Sequence, residues 1–152
     1  MRLLQPREFS ARLASPYTES ALASSELVLN GQPTGVIMTG AILQAAIGWN
    51  GFRIAFFTDD IAFEDTLRIY MLSADMVLVD AAELGVIYST GVFADLRLHL
   101  PDAVTFHFFA DTEWRLVLLK SPEFAFPFVS DPTGVSRKLK FSRHFRIEAR
   151  PV

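Results

Sequence analysis

Between Val135 and Ala149 apolar and polar side chains take turns. Odd positions carry Val135, Arg137, Leu139, Phe141, Arg143, Phe145, Ile147 and Ala149; even positions carry Ser136, Lys138, Lys140, Ser142, His144, Arg146 and Glu148. A repeat of two sends successive side chains to opposite faces, which predicts one long β-strand, or two collinear ones, with an apolar and a wet side. Arg143 breaks the apolar parity, so it either pairs with a buried carboxylate or marks a bulge at Ser142.

Strand-like runs recur upstream. "AILQAAIGW" and "FRIAFFT" flank Asn50-Gly51, the dipeptide of a type I′ hairpin turn, whose two central residues need positive φ. "TLRIYML" and "MVLVDA" flank Ser73-Ala74-Asp75, and "GVIYST" reads as a short strand between Gly85 and Gly91. "DLRLHL" and "VTFHFF" meet at Pro101-Asp102, and "WRLVLL" follows Asp111-Thr112-Glu113. Strands at intervals of about 8–12 residues predict an antiparallel meander, hence an all-β sandwich or barrel of about 8–10 strands. The first 25 or so residues form an N-terminal segment ahead of a β core at 26–152. There "SPYTESALASSEL" predicts a short helix or an irregular stretch, with Ser15 as N-cap and Pro16 at the first helical position.

Composition narrows the functional classes. A chain of 152 residues fits one domain with a well-formed core. Hydrophobic residues make up 51%, and the fourteen phenylalanines imply a large aromatic core or an aromatic-lined cavity. Net charge is −3, which argues against a general nucleic-acid binder. The charge is uneven, since from Asp131 onward six Lys/Arg face only Asp131 and Glu148. With no cysteine, disulfides and thiolate chemistry are excluded and a reducing, cytoplasmic setting is expected. "MRLLQPREFSARLAS" lacks the apolar stretch of a secretory signal, and no run approaches the roughly 20 apolar residues of a membrane helix.

Candidate chemistry falls in four places. "FFTDDIAFEDTLRIY" gathers Asp59, Asp60, Glu64 and Asp65 between two apolar runs. A calcium loop alternates its ligands around a glycine, whereas Ile61, Ala62 and Phe63 fill this centre. The four carboxylates therefore read as a solvated turn, with Asp59 and Asp60 bonding the backbone, Phe63 anchored in the core and Arg53 and Arg68 offsetting charge. They are the weak metal candidates, and no cofactor is expected. With a hairpin centred on residue 102, Arg97 faces His107 and His99 faces Thr105, a polar cluster able to hold an anion or to act as a base. The even face of the last strand presents Lys138, Lys140, His144 and Arg146, spaced by about 6.5–7 Å. "SPEFAFPFVSDPTG" places Phe124, Phe126 and Phe128 among three prolines, an edge or flap and not a central strand.

No catalytic motif is complete, so the reading favours a non-catalytic interaction module whose basic strand and aromatic flap meet an acidic protein partner. The alternatives are a barrel holding a small apolar ligand in a phenylalanine-lined cavity, and a hydrolase or isomerase using His99, His107 or the acidic turn. The first requires a filled core with exposed phenylalanines, the second an internal cavity, the third a pocket uniting titratable groups.

Overall fold

The computed structural model describes residues 1–124, 131–138 and 142–152. Phe126, Phe128, Leu139, Lys140 and Phe141 lie outside the described residues. The strands are β1 (Arg2–Leu3), β2 (Phe9–Ser15), β3 (Ser24–Leu29), β4 (Gln32–Thr39), β5 (Ile42–Trp49) and β6 (Phe52–Thr58). After them come β7 (Leu67–Leu72), β8 (Leu78–Leu84), β9 (Ala94–His99) and β10 (Ala103–His107). The last three are β11 (Thr112–Phe124), β12 (Val135–Ser136) and β13 (Ser142–Pro151). All pairings are antiparallel, and the described residues contain no helix.

The strands form three packed sheets in a sandwich-like fold: β1-β5-β6-β7-β8-β12, β13-β11-β10-β9 and β2-β3-β4. The six-stranded sheet lies in the middle. One face, with Ile47, Trp49, Ile54, Phe56, Leu67, Ile69 and Met71, packs on Val104, Phe106, Trp114, Leu116, Phe145 and Ile147 of the four-stranded sheet. The other face, with Ala46, Ala55, Phe57, Tyr70 and Leu72, packs on Phe9 and Leu27 of the three-stranded sheet. A strand covered on both faces has no wet parity, which is why "FRIAFFT" and "TLRIYML" run apolar without alternation. The corner from β4 to β5 crosses directly over this sheet at Gly40. Its φ of +135° and the 2.7 Å that would separate a Cβ there from Phe57 Cβ both demand glycine.

The Asn50-Gly51 hairpin forms as its dipeptide requires: Trp49 pairs with Phe52, and both turn residues have positive φ. Five expectations need correction. No helix forms at "SPYTESALASSEL": Ser15 ends β2, Thr18 and Ala21 exchange backbone bonds, and Ser24 begins β3. Tyr17 and Leu22 are exposed there, so a helix would have had no core for its apolar side. "GVIYST" is a loop, with Val86, Ile87 and Tyr88 exposed. The segment from Val135 is neither one strand nor two collinear strands, because β12 pairs with β8 in the central sheet and β13 with β11 in the four-stranded sheet. The hairpin β9–β10 centres on residue 101, so Arg97 faces Thr105 and His99 faces Ala103. Short edge strands such as β1 and β12 raise the strand number to thirteen among the described residues, above the expected 8–10.

Candidate functional site

The acidic turn is built around one carboxylate and one cation. Asp65 Oδ1 accepts the backbone N–H groups of Asp59, Asp60 and Thr66 at 2.8, 3.1 and 2.9 Å. Asp59 instead faces inward, where its two oxygens accept Arg68 Nε and Nη2 at 2.8 and 2.9 Å. Arg68 Nη1 reaches Glu83 at 2.6 Å. The turn thus uses Asp65, not Asp59 and Asp60, to hold its backbone. Arg53 takes no part, since it donates to Ala74 O on another hairpin. Phe63 is not a core anchor: it is 78% exposed, at φ 69°. Burial pushes the Asp65 carboxyl above the ordinary aspartate range, although its amide donors favour the charged form. Among the described residues no group of three or more His, Asp or Glu could hold a metal ion.

The histidines stand on the outer face of the four-stranded sheet and do not share a site. His99 Nε2 lies 2.8 Å from Thr105 Oγ1, a diagonal contact. His107 Nδ1 lies 3.0 Å from Asp95 Oδ2. Asp95, in a left-handed conformation beside the bulge at Thr105/His107, orients this imidazole, and the sequence alone did not single it out. A dyad of this kind can accept a proton, but both side chains are largely open to solvent. Arg97 points from the same face opposite Thr105.

On the last strand two arginines have carboxylates within reach. Arg146 has Glu123 across the strand pair at 4.0 Å, and Arg150 has Glu148 at 3.8 Å. His144 is half-buried, and its backbone N–H donates to Asp80. Phe124, at the end of β11, is exposed.

Below that face two arginines on the apolar parity form a buried clasp. Arg137 Nη1 donates to both oxygens of Asp80 at 3.1 and 3.2 Å, and Nη2 donates to Phe145 O at 2.9 Å. Asp131 bridges Arg137 Nε at 3.3 Å and Arg143 Nη2 at 3.1 Å. Asp80 also accepts the N–H groups of His144 and Ala81 at 2.7 and 2.8 Å. The Arg137 guanidinium lies 4.4 Å from the centre of the Phe145 ring. Arg143 therefore pairs with a carboxylate, the first of its two alternatives. Burial lowers the Arg137 pKa, with Asp80 and Asp131 opposing that shift. Sequence reasoning missed Asp80 and Arg137, although Arg137 carries the same parity signal as Arg143.

Beside the clasp a cleft of about 640 Å³ opens between β4 and β8. Ile37 and Leu78, both exposed, form its apolar lips; Arg68, Asp80 and Arg137 lie in its floor; Ser136 and Lys138 close one side. Tyr70 donates to Thr39 O at 2.7 Å, and burial pushes its phenol up to about 12. Each floor charge has a partner, Arg68 in Asp59 and Glu83 and Arg137 in Asp80, whereas Lys138 makes no ion pair among the described residues. Of the basic row anticipated from sequence, Lys138 alone lines this cleft; Lys140 is outside the described residues. Comparison with known proteins returns no family model, no characterised protein and no solved structure that matches the chain.

Proposed function

We propose that the protein is a non-catalytic interaction module that receives an extended, acidic stretch of a protein partner in the cleft between β4 and β8. The observation that carries this reading is the placing of Lys138, which makes no ion pair among the described residues, beside the exposed aliphatic lips Ile37 and Leu78 over a floor whose charges are already paired. A carboxylate entering the cleft gains Coulomb energy from Lys138 without disturbing a buried pair, and apolar neighbours gain from the lips. The phenylalanines favour this reading over a ligand barrel, because Phe56, Phe93 and Phe106 pack ring on ring at 5.4–5.6 Å and fill the space between sheets. Screening by water weakens an enzymatic use of the His107–Asp95 dyad. A cysteine-free chain fits a cytoplasmic setting, and no helix among the described residues is long and apolar enough to cross a membrane.

The test is a peptide array of extended sequences in which one glutamate is flanked by aliphatic residues. Wild-type protein is expected to bind such peptides, and Lys138→Glu to lose at least tenfold in affinity with an unchanged Tm. Equal binding by Lys138→Glu overturns the reading.

A further inference from the structure

The cleft does not end at Ser136. A second depression of about 250 Å³ shares Glu83 and Ser136 with it and continues past Gly85 to Glu64, Asp65, Val86 and Ile87. The β6–β7 and β8–β9 connections meet there, since a Cβ on Gly85 would touch Thr66 Oγ1 at 3.4 Å. At this end the charge reverses. Asp60 and Glu64 are exposed and make no ion pair with any cation among the described residues, and the Arg68 guanidinium is spent on Asp59 and Glu83. The loop tips are apolar: Phe63, Ile87 and Tyr88 are 78%, 81% and 87% exposed. Phe63 and Tyr88 hold φ values of 69° and 62°, a conformation bulky residues seldom adopt. Both aromatic side chains are thus presented to solvent by strained backbone, not tucked away by it.

We propose that the two depressions form one bipolar trough for a single extended partner segment, with a carboxylate at Lys138 and a basic residue beside an aliphatic one at the Glu64 and Phe63 end. This rests on the reading of the Lys138 cleft and adds the second half of its ligand. Ser136 pairs with Glu83, so Lys138 lies two residues to one side of that pair and Gly85 two to the other. Four strand positions correspond to about 13 Å at the usual rise. The acidic and basic residues of the partner are therefore spaced about four apart.

Three fluorescein-labelled peptides of one length test this by anisotropy: Glu-Ser-Ser-Ser-Arg-Leu, the same peptide with Glu at both charged positions, and the same with Arg at both. The mixed peptide is expected to bind wild-type protein at least tenfold more tightly than either. Glu64→Lys should transfer the preference to the doubly acidic peptide, and Lys138→Glu to the doubly basic one. Phe63→Gly, which suits the backbone at that position, should weaken the mixed peptide several-fold without lowering Tm. If the acidic peptide binds in a Lys138-dependent way while Glu64→Lys and Phe63→Gly change nothing, the bipolar trough is wrong and the cleft reading stands. If no peptide depends on Lys138, both fail. Self-association of the protein that Phe63→Gly abolishes, with no peptide bound, also overturns the proposal.

Discussion

Asp65 gathers three backbone amides on one oxygen, and the β6–β7 connection closes around it. Replacing it with alanine leaves those N–H groups to find water, at a cost of about 2 kcal/mol. Asparagine keeps an oxygen in place and isolates the charge. Because burial raises the Asp65 pKa, the folded state holds its proton more tightly than the unfolded chain does. The ionised form therefore detracts from stability above that raised value and not below the ordinary aspartate range. Relative to wild type, Asp65→Asn should gain stability as pH rises between those two limits, measured by urea unfolding from about pH 3 to pH 7. A constant difference across that range would show that burial does not govern this carboxyl. The sequence marked this stretch as a turn and offered Arg68 as its counter-charge. It did not reveal which carboxylate turns inward, since that depends on β7 placing Arg68 under Asp59, a contact nine residues away in sequence.

At the scale of elements, the clasp joins the central sheet to the four-stranded one. Asp80 on β8 accepts the N–H of His144 on β13 and holds Arg137, which follows β12. Both ion-pair partners are almost wholly buried, with 2% of each side chain exposed. Asp80→Ala leaves the buried Arg137 guanidinium with Asp131 as its remaining carboxylate and strands the His144 N–H, and is expected to cost about 3–5 kcal/mol by urea denaturation. Asp80→Leu combined with Arg137→Met should cost much less than the Asp80→Ala single change, because it removes both charges together. If the double variant is as unstable as the single one, the clasp contributes shape and not charge compensation. The alternation from Val135 to Ala149 was legible, and Phe145 and Ile147 are buried as it requires. Its division between two sheets was not, because period two fixes the faces of a strand and is silent on its neighbours. The same limit explains "GVIYST", whose β-branched residues lack a partner strand, and the β9–β10 hairpin, where a two-position shift in register preserves the face of every side chain.

For the whole molecule, the third layer is the feature that local patterns could not supply. Alternation predicts a sheet with one dry side, and β9 conforms, its burial alternating along Ala94–His99. In β6 and β7 the pattern vanishes, and an unbroken apolar run is equally compatible with a buried helix or with a strand between two layers. The structure selects the second: Phe56 packs toward Phe106 of the four-stranded sheet, and Phe57 packs edge-on to Tyr70 under the three-stranded one. Both rings are completely buried. A two-layer sandwich would leave one of two consecutive residues facing water, where truncation costs little. Here Phe56→Ala and Phe57→Ala should each cost about 3–5 kcal/mol, because each opens a cavity in a separate core. The two cores lie on opposite faces of one sheet, so the double variant tests how far they fold as a unit. Costs that add within about 0.5 kcal/mol indicate two independent packings sharing a wall. A chemical-denaturation series on the three variants measures all of this, and a cheap Phe57→Ala would mean that the three-stranded sheet does not seal the central one.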